Sequence, residues 1–238
     1  MPDHIVTSFD VELKEISRAV VEMGGKSERL VADAVNSLIK RDITLAQKVV
    51  LLDDSIDQMQ RDIEEKSVLI IAKRQPVAGD LREIVAAIRI ANDIERIGDL
   101  AKNISKRVIA IEGEYHPQKL VRGVEHISDL VLEQLKEVLD AYAGRNAAKA
   151  VEVWGRDSDI DTMYTSLFRE LLTYMMEDPR NISVCTHLLF SAKNIERMGD
   201  HATNIAEIIY YMVTGQVLPE NRPKADASSD TTVAFPGA

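Results

Sequence analysis

One octapeptide motif recurs in this chain with five of its eight residues identical, and this repeat constrains the fold more than any other sequence feature. Residues 92–99 read NDIERIGD, and residues 193–200 read KNIERMGD, 101 positions later in a chain of 238 residues. Each copy is followed by an Asn-Ile pair, at 103–104 and at 204–205. A period of this length predicts that the chain folds as two copies of one structural unit.

The apolar residues follow a helical spacing almost throughout, with few glycines and prolines to interrupt it. They recur every three or four positions, which is typical of amphipathic helices and not of strands. Breaks are indicated at Pro76, between Gly113 and Pro117, at Gly144 and before Pro179. The sequence therefore predicts an all-α fold of six long helices, over about 9–41, 42–74, 80–111, 118–142, 146–178 and 181–214.

The starts of these helices repeat as well. Asp42 and Asn146 are N-cap residues that stand 104 positions apart, and Asp80 and Asn181 begin helices 101 positions apart. We therefore expect two tandem three-helix bundles, a first repeat over residues 8–113 and a second over residues 117–215. Gly215 is the expected C-cap of the last helix. Residues 216–238 contain several Pro and Ser residues and are expected to be disordered.

The composition excludes several classes of function. The chain has 39 acidic against 29 basic residues, so it lacks the positive charge that nucleic-acid binding requires. A single cysteine, no apparent secretion signal and no bilayer-spanning apolar stretch predict a cytoplasmic protein. Such a protein would meet a membrane only through a partner. Neither a nucleophile with a base nor a glycine-rich phosphate loop is evident, so we do not expect an enzyme.

Carboxylates stand four residues apart at matching places in the two halves. This spacing alone is weak support for a site, because about six such pairs are expected by chance at this acidic content. Their position on the helix is more informative, since Glu95 and Glu196 project into the apolar faces of their helices. A carboxylate there must be paired, protonated or bound to a metal. The four pairs are Asp53 with Asp57, Glu95 with Asp99, Asp157 with Asp161, and Glu196 with Asp200.

The sequence leaves two interpretations of these pairs open. In the first, each pair on the second helix of a half faces the pair on the third, and each half binds cations. Asn103 and Asn204 would then be ligands or hydrogen-bond partners of ligands. All-oxygen ligands favour Mg, Mn, Ca or ferric iron. In the second interpretation, the carboxylates line a wet groove and pair with arginines of neighbouring helices, namely Arg82, Arg89, Arg96 or Arg197.

Glycines follow Glu95 and Glu196 at a position where di-iron bundles carry histidine. Gly98 and Gly199 stand three residues after Glu95 and Glu196, so the Glu-x-x-His motif of those bundles is missing. The missing histidines argue against the oxidase chemistry of di-iron bundles. A metal-binding helical bundle with a storage or redox role remains the alternative to a non-enzymatic function. The glycines also leave room for a neighbouring helix or an ion. His201 is expected on the surface.

A longer stretch of the chain resembles a known family. Residues 75–84 (QPVAGDLREI), followed by the first octapeptide, are similar to the PhoU family of phosphate-signalling proteins. The second octapeptide and the residues after it fit equally well, and the resemblance extends over roughly residues 5–216. It implies two three-helix bundles related by a pseudo-twofold axis. We also expect a homodimer.

The resemblance further implies a non-enzymatic signalling adaptor. Such a protein links the ATP-binding subunit of the phosphate ABC transporter to the phosphate sensor histidine kinase. In this way it negatively regulates the phosphate-starvation regulon and phosphate uptake. The resemblance also implies multinuclear iron or zinc clusters at the carboxylate pairs, as in some members of the family. Arg82, which is Ser183 in the second half, is the candidate for contact with a partner.

Overall fold

The computed structural model describes residues 7–114, 118–219, 226 and 228, and the regular elements of this part of the chain are helical. The all-α prediction is confirmed. A short 3-10 turn, Pro179–Asn181, precedes the last helix. The α-helices are α1 (Thr7–Lys40), α2 (Ile43–Arg74), α3 (Ala78–Ala110), α4 (Gln118–Ala143), α5 (Ala147–Gly155), α6 (Asp157–Glu177) and α7 (Ile182–Thr214).

The starts of α2 and α5 and the end of α7 follow the capping residues that the sequence indicated, whereas α3 begins two residues before Asp80, after Val77. Asp42 accepts a hydrogen bond from the backbone N of Leu45 at 2.9 Å, and Asn146 accepts one from Lys149 at 3.0 Å. These bonds satisfy backbone donors that the first turn of a helix leaves free. Gly215 ends α7 in the left-handed conformation, with φ of 74°, which glycine adopts without strain.

The fifth predicted helix is interrupted. The sequence predicted one helix from residue 146 to residue 178, and the structure divides it at Arg156, where ψ is 3°. The backbone N of Arg156 bonds the carbonyl of Val153, three residues back, so the α-helical hydrogen-bond pattern is lost there. Gly155 precedes the break and lowers helix propensity. Counted as one interrupted helix, α5 and α6 complete the six that the sequence predicted.

The helices form two tandem three-helix bundles related by a pseudo-twofold axis, as predicted. In the first bundle α1, α2 and α3 pack on one another, and in the second α7 packs on α4, α5 and α6. The bundles join through α3 against α7 and α1 against α4, each a helix against its counterpart. Gly24 lets α1 and α4 approach, because a Cβ there would overlap the side chain of Leu139.

This packing places α2 beside α3 and α6 beside α7, and these are the helices that carry the carboxylate pairs. The domain bounds of 8–113 and 117–215 stay predictions. The sequence predicted disorder for residues 216–238. Of this segment the structure describes only 216–219, 226 and 228, and the other residues lie outside the described part. Among the helices that are described, none is long and apolar enough to cross a membrane.

Candidate metal centre

The first acidic cluster lies between α2 and α3 and contains the four carboxylates expected there. Asp53 is fully buried, whereas the side chains of Glu95 and Asp99 are 20% and 39% exposed. Burial raises the pKa of Asp53 and the pKa of Glu95, and the charges of Asp57 and Asp99 raise both pKa values further. The α2 pair therefore faces the α3 pair closely enough for the charges to interact.

Gly98 allows these two helices to approach. A Cβ at this position would lie 3.2 Å from Asp53 Oδ1 and 3.4 Å from Ile56 Cγ2. Gly199 has the same role in the second half, where a Cβ would lie 3.0 Å from Ile160 Cδ1. The room that the sequence indicated beside each pair is therefore taken up by the neighbouring helix.

A lysine that the sequence interpretation did not include enters the first cluster. Lys102 Nζ lies 2.6 Å from Asp53 Oδ2 and also interacts electrostatically with Asp99 and Asp57. Burial is the largest influence on the pKa of Asp53, and although Lys102 lowers this pKa, the pKa is raised overall. Arg96 lies at the exposed edge of the cluster, with its Nε 3.4 Å from Glu95 Oε2 and its Nη1 3.4 Å from Asp99 Oδ2.

The most compact set of possible ligands in this cluster differs from the predicted one. Carboxylate oxygens of Asp53, Asp54 and Asp57 lie within 4.8 Å of one another. Asp54 is exposed and did not belong to the i, i+4 pairs. Asp53 is buried and Asp57 is half-buried, whereas Asp54 is exposed. An ion bound by these three residues would therefore lie at the surface end of the cluster.

The second acidic cluster lies between α6 and α7. Asp161 and Glu196 are 3% and 4% exposed, and Asp200 is half-buried. Asp157 begins α6, but its side chain is outside the described part of the structure. Burial raises the pKa of Glu196 to about 7, and the charges of Asp200 and Asp161 act in the same direction while Lys193 opposes them.

Lys193 joins this cluster to the C-terminal segment. Its Nζ lies 2.9 Å from Glu196 Oε1 and 2.8 Å from Asp226 Oδ2. The same ammonium lies 4.8 Å from the centroid of the Tyr164 ring, within the range of a cation–π contact. The sequence could have revealed Lys193, which stands one turn before Glu196. The contact with Asp226 follows from no motif in the sequence.

The oxygens of both clusters fit a hard cation. Asp53 Oδ1, Asp57 Oδ1 and Glu196 Oε2 are buried, and within the described residues they have no hydrogen-bond partner. A buried carboxylate oxygen of this kind is stabilised by a proton or by a metal ion. The donors are oxygens only, which suits Mg²⁺, Mn²⁺, Ca²⁺ or ferric iron better than a thiolate-bound metal.

Four other residues that the sequence singled out lie in different surroundings. The prediction that His201 is a surface residue was wrong: it is half-buried, and its Nδ1 lies 2.8 Å from Asp93 Oδ1 because α7 packs on α3 across the pseudo-twofold axis. Asn103 is exposed and Asn204 is half-buried. The remaining candidate, Arg82, is half-buried near the C-terminal end of α7, and its Cζ lies 3.4 Å from the place a Cβ would occupy at Gly215.

The fold and the clusters define a class of protein, an all-α chain of two tandem bundles with a buried acidic cluster in each. The model of the PhoU domain matches residues 20–108 and 124–209, one match in each bundle. The chain belongs to the PhoU family, which confirms the resemblance noted in the sequence.

Individual relatives match along almost their whole length. The phosphate-specific transport system accessory protein PhoU homolog of Rhizobium meliloti (strain 1021) is 60% identical over 226 residues, 95% of each chain. The protein of the same name from Caulobacter vibrioides (strain NA1000 / CB15N) is 49% identical over 96% of this chain and 100% of that one. The crystal structure of PhoU from Pseudomonas aeruginosa, 44% identical, has a TM-score of 0.82 over 87% of this chain and 100% of that chain.

Proposed function

We propose that this protein is a non-enzymatic adaptor that negatively regulates the phosphate-starvation regulon and phosphate uptake. One observation carries the proposal: a relative that is 60% identical over 95% of each chain is named as an accessory protein of the phosphate-specific transport system. In this role the adaptor links the ATP-binding subunit of the phosphate ABC transporter to the sensor histidine kinase. It acts in the cytoplasm and reaches the membrane only through these partners.

Differences between the two halves support a role with two partners. Arg82 stands in α3 where the second half has Ser183, and Asp93, which contacts His201, stands where the second half has Asn194. A single chain with two similar but unequal bundles offers two different surfaces. An adaptor that must engage a transporter subunit and a kinase needs such a pair.

The adaptor role is tested in a strain that lacks the gene. Alkaline phosphatase expression at high phosphate should be derepressed in this strain and repressed again by the wild-type gene. Arg82→Ser, which introduces the residue of the second half, should restore repression only partly and weaken co-purification with the transporter ATPase. Arg122→Ser, at an exposed position of α4, is the matched control. Normal repression in the deletion strain would refute the proposal.

We propose further that the two clusters bind hard cations. Asp53, Asp57, Glu95 and Asp99 would hold the ion in the first half, and Asp157, Asp161, Glu196 and Asp200 would hold it in the second. The ions could be Mg²⁺, Mn²⁺, Ca²⁺ or multinuclear iron or zinc. A bound cation supplies positive charge that cross-links α2 to α3 and α6 to α7. The buried carboxylate oxygens without a hydrogen-bond partner support this proposal.

Elemental analysis of tag-free protein and titration with Mn²⁺ test the cation sites. We expect saturable binding that is lost from one half in Asp57→Asn and from the other half in Asp161→Asn. Glu133→Gln, an exposed position of α4, should leave binding unchanged. If the protein carries no metal, binds no Mn²⁺ and keeps its stability in a chelator, the cation sites do not exist.

A further inference from the structure

The two acidic clusters hold their lysines in different ways. In the first cluster, Lys102 contacts Asp53 and interacts electrostatically with Asp99 and Asp57 as well. Its ammonium is a compact positive charge placed among three of the four carboxylates. The first cluster is therefore partly neutralised by the protein's own cation.

In the second cluster the lysine lies at the rim. Lys193 contacts Glu196 on one side and Asp226 on the other, and both carboxylates raise the pKa of this lysine. Asp226 is fixed in turn, because its Oδ1 accepts a hydrogen bond from the backbone N of Ser228 at 2.9 Å. The side chain of Ser228 also bonds Tyr164. These contacts hold the ammonium between Glu196 and Asp226.

The two lysines do not occupy equivalent positions of the sequence repeat. The counterpart of Lys193 in the first half is Asn92, which accepts a hydrogen bond at 2.7 Å from Gln60, the counterpart of Tyr164. The counterpart of Lys102 in the second half is Thr203. Among the described residues, Lys102 contacts the first cluster and Lys193 contacts the second, and these two lysines stand at opposite ends of the repeated segment.

The described pieces of the C-terminal segment lie along α7 in the reverse direction. Residues 217–219 lie beside Glu207, Ile208 and Tyr211, and Asp226 lies beside Lys193, further toward the start of that helix. The first cluster has no counterpart of this contact among the described residues, since α3 runs into the loop that leads to α4. Among the described residues of the C-terminal segment, Asp226 therefore meets the second cluster.

We propose that Asp226 keeps the second cluster open for a divalent cation by holding Lys193 at its rim. The inference rests on the proposal that the clusters bind cations. When Asp226 is absent, Glu196 is the acidic partner that Lys193 retains, and its ammonium competes with an incoming ion as that of Lys102 does in the first cluster. The second cluster accordingly binds divalent cations more tightly than the first.

The test measures Mn²⁺ affinity of the full-length protein by titration with electron paramagnetic resonance detection. Each cluster is read separately, the second in an Asp57→Asn background and the first in an Asp161→Asn background. In the Asp57→Asn background, Asp226→Asn should weaken Mn²⁺ binding at least tenfold. Asp226→Glu in the same background should keep most of the Mn²⁺ affinity. Adding Lys193→Met to Asp226→Asn should bring the affinity back to the original level or above.

The double variant separates the proposed mechanism from a simple charge effect. If Asp226 only adds negative charge near the site, Lys193→Met will not restore the affinity that Asp226→Asn has lost, and the inference is overturned. It is overturned as well if Asp226→Asn leaves binding unchanged or if the first cluster binds more tightly. If neither cluster of the wild-type protein binds Mn²⁺, the cation sites themselves are refuted. Circular dichroism checks that each variant keeps its helical fold.

Discussion

Glu196 should make the metal-free protein less stable as the pH rises toward neutrality. Burial raises the pKa of this carboxyl from 4.5 to about 7, so the folded protein binds a proton that the unfolded chain releases. Stability from a group whose pKa is raised by folding is fully present below the unfolded pKa and is lost as the pH rises through the folded pKa. For Glu196 this window runs from 4.5 to about 7.

The size of the effect follows from the same pKa values. A shift of one pKa unit corresponds to about 1.4 kcal/mol. The shift of Glu196 from 4.5 to about 7 therefore corresponds to about 3 kcal/mol of unfolding free energy. Glu196 is 4% exposed, so solvent screens this contribution little. Glutamine has nearly the shape of protonated glutamic acid and does not titrate, so Glu196→Gln should remove the whole contribution.

Urea unfolding in a chelator, at several pH values between 4.5 and 8, measures this contribution. The wild-type protein and Glu196→Gln should be nearly equally stable at the acid end, and the variant should be more stable by about 3 kcal/mol at pH 8. Glu133→Gln, at an exposed position, should follow the wild-type curve. Parallel curves for the wild type and Glu196→Gln would show that burial of this carboxyl does not control its protonation.

Three further changes test the packing and the sites. Gly98→Ala places a methyl group 3.2 Å from Asp53 Oδ1, so it should lower the unfolding free energy by about 1–2 kcal/mol and weaken Mn²⁺ binding. A Cβ at Gly25 would meet nothing within 4 Å, so Gly25→Ala should stabilise the helix by about 0.5–1 kcal/mol. Equal effects of the two substitutions would contradict the close approach of α2 and α3 at Gly98. Asp42→Ala should cost about 1 kcal/mol by losing the cap to Leu45, and Asp42→Asn should not. Mn²⁺ at about 100 times its dissociation constant should raise the unfolding free energy by about 2.7 kcal/mol per site, and an unchanged melting temperature would argue against binding.

The helices could be predicted from the sequence because their signals are local. Asp42 and Asn146 cap helices through a backbone N–H three residues ahead, so each signal and its effect lie within one turn. The interruption at Arg156 was missed because one glycine in a helical pattern usually costs only propensity. Arg156, at the break, forms an ion pair with Glu137 of α4, and a contact of this kind between helices is not visible in the pattern of one helix.

The carboxylates of the sites could also be predicted in part. Helical angles placed Glu95 and Glu196 near the core, and Glu196 is buried while Glu95 is half-buried. Asp53 proved the most buried acidic residue of the first cluster, because burial depends on how close α2 comes to α3 at Gly98. A helical wheel describes one helix and contains no information about the distance to its neighbour.

The counterions of the two clusters could not be derived from the repeat, and the reason is physical. A carboxylate at a helix–helix contact is fixed by its backbone position, but a lysine reaches the same carboxylate from either end of the motif because its stem is long and flexible. Lys102 follows the first motif and Lys193 lies at the start of the second, so equivalent acidic clusters receive their positive charge from opposite directions. The second lysine also turns toward Asp226, which belongs to neither repeat. Sequence repetition therefore specifies where negative charge is buried, whereas the position of the lysine that compensates this charge is set separately in each half.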